Sequence, residues 1–185
     1  MLLSIWQYMK SPTPIQKNSS PFTAKLKMFG IILAYTLLFG LLLEYGLHIF
    51  HYTGVLDFKN HATYRVIEKY PLWQLLWILI LLSPLLEEFF FRWPLRFFTK
   101  NPFYAYACYW FLLFFALYHL ANFEINAKIF LLAPILIAPQ LVLGTFLTYI
   151  RVHLNIWWSV ALHGLYNICI FGPMVLAYHL QISYL

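Results

Sequence analysis

The chain has 185 residues, of which 63% are hydrophobic, 21% aromatic and only 10% charged, with a formal net charge of +6. Soluble domains carry about 25% charged residues, and a chain this short exposes too much surface to hide so many apolar side chains from water. A soluble enzyme, a disordered chain and a secreted disulfide scaffold are thereby excluded, and an all-α, polytopic integral membrane helical bundle is predicted.

Residues 1–27 hold Lys10, Lys17, Lys25 and Lys27 together with Pro12, Pro14 and Pro21. They lack the apolar run and small-residue cleavage site of a signal peptide, and read as a basic cytoplasmic N-terminal tail. Residues 28–185 read as a single membrane-embedded domain of about five spans, since each crossing takes about 20 apolar residues. The first span, 28–50, ends in a polar stripe of Glu44, His48 and His51, which reads as a helix end facing the interface, with a metal site as the alternative. A loop over 51–69 carries Asp57, Lys59, Arg65, Glu68 and Lys69. The second span starts near residue 70, and Pro84 and Pro94 predict that it bends. The third runs over 103–120, the fourth over 129–150 and the fifth from 156 towards 178. Cys108 and Cys169 sit in apolar stretches without metal spacing and read as small core residues.

Lys and Arg are not gathered into a nucleic-acid-binding stripe, so they report topology instead. With the N-terminus inside, the inner connections hold Lys10, Lys17, Lys25, Lys27, Arg96, Lys100 and Arg151, against Lys59, Arg65, Lys69 and Lys128 outside. The excess on one side places the N-terminus in the cytoplasm. Trp73, Trp157 and Trp158 fall near span ends, where amphipathic rings favour the headgroup zone.

The run Glu87-Glu88-Phe89-Phe90-Phe91-Arg92 interrupts an otherwise uncharged span. Each ionisable group at a helix centre costs about 2.5–3.5 kcal/mol, so these groups must pair or face a polar cavity. Glu88 and Arg92 are four apart and can form an ion pair. Glu87 is turned about 100° away, with Ser83 and Phe91 at its i−4 and i+4 positions and no basic residue, so its partner must come from another helix or from water. The third span supplies Phe115 and His119, the fifth His163 and Asn167. Taken singly, His119 reads as a helix-end histidine, and His163 and Asn167 as interhelical hydrogen-bonding groups. Together they suit hydrolysis: a partly desolvated glutamate as base to water, a histidine beside it, and amide and imidazole donors for a tetrahedral oxyanion. Arg92 would hold Glu88 ionised.

Glu87-Glu88-xxx-Arg92, Phe115-xxx-His119 and His163-xxx-Asn167 resemble, in order, the three motifs of the CPBP (Abi) family of intramembrane proteases, which includes CAAX prenyl endopeptidases and bacteriocin-processing enzymes. The resemblance covers about residues 73–178. It implies a glutamate-dependent peptidase without a cofactor, in which Glu87 and His119 activate water while His163 and Asn167 form the oxyanion site. Glu88, Arg92 and Phe115 are then supporting residues, and the substrate is a membrane-associated, prenylated or leader-type peptide. The shortness of the chain favours a compact member of a bacterial cytoplasmic membrane. A zinc-dependent version would use Glu87, His119 and His163 as ligands. A non-catalytic bacteriocin self-immunity or binding protein of the same family is the alternative function, and a small proton-coupled transporter a second one. Other intramembrane proteases are excluded by absence: Asp57 is the only aspartate, and there is neither a zinc-binding HExxH nor a serine in a Gly-x-Ser-Gly setting.

Overall fold

In a computed structural model, residues 1–14, 19–56 and 61–181 are described. Lys17, Asp57 and Lys59 lie outside them. Among the described residues there are helices and no strands, and five helical segments are long and apolar enough to cross a membrane: Phe22–Tyr52, Leu72–Phe98, Tyr104–Asn122, Ala127–His153 and Ile156–His179. The chain is an integral membrane protein, as its composition requires.

The basic tail is more ordered than its composition suggests. Leu2–Lys10 forms a short helix, α1, with Ile5 and Tyr8 buried. Tyr8 meets Tyr149 edge-on at 5.6 Å between ring centroids, and the Tyr109 hydroxyl donates to the Met9 carbonyl at 2.8 Å. Burial among these rings raises the Tyr8 phenol far above its ordinary pKa. The first span, α2 (Phe22–Tyr52), starts directly after Pro21, earlier than expected, because a proline just ahead of the first turn loses no helical hydrogen bond.

The expected loop contains a helix, α3 (Ala62–Lys69), capped by His61 Nδ1, which accepts from the Thr63 N–H at 3.3 Å. The second span is a composite: α4 (Leu72–Trp77), a π-helical stretch (Ile78–Leu82), α5 (Ser83–Phe91) and a 3₁₀ stretch (Trp93–Phe98). The two prolines explain the breaks. In the π register Ser83 N–H reaches the Ile78 carbonyl, and the next carbonyl in that register, of Leu79, faces Pro84, which has no N–H to give. The third span is α6 (Tyr104–Tyr118) continued by a 3₁₀ turn (His119–Asn122). The fourth is broken at Ile137 into α7 (Ala127–Leu136) and α8 (Ala138–His153), with Pro139 in the first turn of the latter. The fifth, α9 (Ile156–His179), starts on an Asn155 cap whose side-chain oxygen accepts from the N–H groups of Trp157 and Trp158.

Two ends of the bundle are fixed by side chains. At one end Trp158 packs on Phe22 and Phe29, and α1 lies against α8 and α6. At the other, Leu47, Leu56, Ile129 and Leu136 form one buried cluster, and Ile67, Leu75 and Val175 another. The central core between them joins α2, α6, α8 and α9 through Ile32, Phe115, Leu147, Ile150, Leu162 and Tyr166.

Candidate active site

Glu87 and Glu88 stand side by side on α5 and have different surroundings. Glu88 is fully buried and meets three donors: Arg92 Nη1 lies 3.2 Å from Oε1, His163 Nδ1 is 3.1 Å from the same oxygen, and the Ser159 hydroxyl donates to Oε2 at 2.5 Å. With donors on both of its oxygens, this carboxylate has none to spare for a reaction. The i, i+4 pairing of Glu88 with Arg92 expected from their spacing is present. Arg92 is itself 1% exposed, and its guanidinium carbon sits 3.7 Å above the centre of the Phe115 ring. Phe115, buried beneath it, therefore supports the guanidinium. Gly144 on α8 completes this seat: a β-carbon there would come within 2.9 Å of Arg92 Nη2.

Glu87 points the other way. Its Oε1 accepts from the Ser83 hydroxyl one turn earlier. Oε2 is buried without a hydrogen bond, at 3.8 Å from His119 Nε2 and 3.7 Å from His163 Nε2. The partner that the sequence left open thus comes from two other helices, as required, together with a hydroxyl from Glu87's own helix. The Ser83 contact was legible in the i−4 spacing, although a search for basic partners passes over it. Ser159 carries no such local signal.

Both imidazoles are oriented from behind. His119 Nδ1 lies 2.8 Å from the Phe115 carbonyl; a carbonyl only accepts, so Nδ1 carries the hydrogen and a neutral ring presents the Nε2 lone pair to Glu87. His163 Nδ1 donates to the Glu88 carboxylate in the same manner, so His163 spans the two glutamates. Asn167 Nδ2 donates to the Leu79 carbonyl at 3.1 Å, the acceptor stranded by Pro84 in the π register, and keeps its second N–H. Gly164, next to His163, allows the contact: a β-carbon there would fall within bonding-like distance of the Ile80 carbonyl oxygen. The π stretch, Pro84, Gly164 and Asn167 form one device that seats α9 on the second span.

The depth of the motifs also works out. Six 3₁₀ residues rise about 2.0 Å each, against about 1.5 Å in an α-helix. Glu87 and His119 therefore both stand roughly 20 Å above the turn joining their spans.

These groups open onto a cavity of about 570 Å³, lined by Ser83, Glu87, His119, His163 and Asn167, and also by Glu44, His48, His61 and Gln140. Glu44 and His48 thus face the cavity and do not simply mark a helix end. His51 instead approaches the Leu56 carbonyl at 3.1 Å. Outside the spans, His61 is buried against the Phe123 ring (4.6 Å between centroids); burial, with Arg65 and His119 nearby, lowers its pKa to about 4. Among the described residues, no group of three or more His, Cys, Asp or Glu side chains is arranged to hold a metal ion.

A family model for type II CAAX prenyl endopeptidase Rce1-like proteins matches residues 69–169, more than half of the chain. The chain belongs to that family. The match takes in Glu87, His119, His163 and Asn167, agrees with the resemblance read from the three motifs, and supports a CAAX-type intramembrane peptidase at the level of the family. No curated protein and no solved structure matches the chain.

Proposed function

We propose that the protein hydrolyses a peptide bond of a membrane-associated substrate, a prenylated or leader-type peptide, with water activated by Glu87 and His119 and no metal ion. The observation that carries this reading is the approach of Glu87 Oε2 to two imidazole Nε2 atoms on the wall of a cavity. All three atoms are acceptors when the rings are neutral, so the group they suit between them is a donor such as water.

In this mechanism Glu87 takes a proton as water attacks the scissile carbonyl and returns it to the leaving amine. Ser83 holds Oε1 so that Oε2 faces the water. His119, fixed by the Phe115 carbonyl, orients the same water through Nε2. His163 can donate from Nε2 only as an imidazolium, because its Nδ1–H is already given to Glu88, and it takes up the additional proton from solvent through the cavity before the water attacks. The Glu88 carboxylate stabilises that cation, and His163 then donates to the tetrahedral oxyanion together with the free N–H of Asn167.

The test is cleavage of a membrane peptide substrate by reconstituted protein. Glu87→Gln is expected to lower turnover by about 10²–10⁴-fold, the usual worth of a general base; unchanged turnover would end the proposal. Chelators are expected to leave activity intact, and a loss that zinc restores would convert Glu87, His119 and His163 into metal ligands.

A further inference from the structure

The end of the bundle away from the cavity holds a second group of polar side chains, none of which lines the cavity wall. Arg96 in the 3₁₀ stretch, Tyr104 at the start of α6 and Arg151 in the last turn of α8 stand at the ends of three spans, the depth of the headgroup layer. Tyr8 of α1 joins them from the tail. Tyr104, Tyr8, Arg96 and Cys108 all lie close enough to act on Arg151 electrostatically. Two donors in this group are unmet. Tyr8 is only 8% exposed, and its hydroxyl is buried without a hydrogen bond, as is Nε of the half-buried Arg151. One acceptor placed between them would satisfy both.

Charge narrows the chemistry of that acceptor. None of the five described carboxylates, Glu44, Glu68, Glu87, Glu88 and Glu124, pairs with Arg96 or Arg151, and the two guanidiniums repel each other. Arg96 is steadied over two rings, 4.8 Å from the centre of Trp93 and 5.3 Å from that of Phe97. Paired guanidiniums beside phenol donors suit a phosphate group, whose oxygens accept several N–H and O–H bonds at once. An aromatic groove of about 480 Å³, lined by Phe98, Phe103, Tyr106, Ala107, Trp110 and Phe111, borders these residues: Phe98, Ala107 and Phe111 pack in one cluster with Tyr104 and Cys108. We infer that Arg96, Arg151, Tyr8 and Tyr104 bind the phosphate of an anionic phospholipid, with an acyl chain along the aromatic groove. Basic pockets between spans take anionic headgroups in this way, and the cationic pair disfavours a headgroup that carries its own cation. The site is independent of the proposed peptidase activity.

The full chain in detergent micelles, titrated with phosphatidylglycerol, phosphatidylcholine or inorganic phosphate, tests the site. Phosphatidylglycerol is expected to raise the unfolding midpoint with dose, as a ligand of the folded state does, and phosphatidylcholine to have little effect. Arg151→Gln removes a hydrogen bond to a charged group and is expected to raise the half-maximal dose about ten-fold or more. Two milder variants guard against a folding defect: Arg96→Gln, at an exposed position, and Tyr8→Phe, which keeps the ring against Tyr149. Each is expected to raise the dose about three- to five-fold, with the midpoint before lipid is added close to the parent's. Inorganic phosphate is expected to have little effect; a shift as large as the lipid's, lost in the same variants, overturns the headgroup in favour of a free phosphate. No shift with phosphatidylglycerol, an equal one with phosphatidylcholine, or one unchanged in all three variants overturns the site.

Discussion

Glu87 and Glu88 are chemically identical and adjacent, yet they belong to two different regions. Around Glu88 lies a sealed cluster, with Arg92, Ser159 and His163 all at most 2% exposed, in which the carboxylate oxygens are taken up by donors. Around Glu87 lies an open cluster, in which Glu87 and His119 keep 16% and 17% exposure and one carboxylate oxygen is not hydrogen-bonded. A turn of about 100° along one helix separates a group that holds helices together from a group free to react. His163 belongs to both regions through its two ring nitrogens, Nδ1 on Glu88 and Nε2 towards Glu87, and so ties the sealed side to the open one.

The strongest way to break this contrast is to exchange the consequences of the two glutamates. Glu87→Gln should cost about 10²–10⁴ in turnover while moving the unfolding midpoint little, because an amide still accepts from Ser83. Glu88→Ala should do the opposite first: leaving Arg92 buried and unpaired costs about 3–5 kcal/mol of stability, read as a large loss of thermal or denaturant resistance in detergent. A Glu88→Leu, Arg92→Leu double variant should regain much of that loss, since buried pairs are often replaceable by apolar packing. If both single variants behave alike in both assays, the division into two regions is wrong.

The seat of α9 offers a sharper probe. Gly164→Ala places a methyl group on the Ile80 carbonyl oxygen, a backbone atom that cannot swing aside. Overpacking of this kind costs about 1–3 kcal/mol, and it should also lower turnover by displacing His163 and Asn167. Stability and activity indistinguishable from the parent would show that the close approach is not needed. Ser159→Ala should cost about 1.5–3 kcal/mol, the value of a hydrogen bond to a charged group, with turnover reduced less than by Glu87→Gln. The double-mutant cycle with Glu88 checks that the loss runs through that carboxylate.

The smallest effect concerns pH, on the cavity side. His61 titrates near pH 4 in the folded chain and near 6.5 when unfolded, so the unfolded chain binds more protons between these values. Its contribution to stability is complete above about pH 6.5 and falls as the pH drops towards 4. His61→Asn, which keeps a capping acceptor for α3, should flatten the midpoint-versus-pH curve over that window. Parallel curves for parent and variant would mean that His61 does not titrate as its burial implies.

Much of the site was legible because a charge in an apolar span has to be compensated. Glu88 and Arg92 are paired by the i, i+4 rule alone, and the lack of a basic neighbour for Glu87 correctly required help from other helices. Ser159 was not legible, as its contact with Glu88 spans 71 positions and no local pattern reports it. The π stretch was half-legible: Pro84 and Pro94 announce a broken span, but the geometry adopted there depends on how α9 lies against it. Likewise α3 and the docking of α1 were hidden in segments whose polar composition resembles a loop and a tail. Their few apolar side chains become informative only once a surface is present to bury them.

By itself the sequence determined that this is a membrane protein with five spans, that its polar residues must converge, and which family it resembles. The cause is energetic: apolar length fits the hydrocarbon thickness, and ionisable groups within it are costly enough to leave a recognisable pattern. The tertiary structure decided which glutamate is sealed and which faces the cavity, which nitrogen of each histidine is directed at Glu87, and at which end of the bundle the cavity lies. Those outcomes depend on helix rotation and on the approach of backbones to within a single methyl group, and they are fixed by packing between segments far apart in the chain.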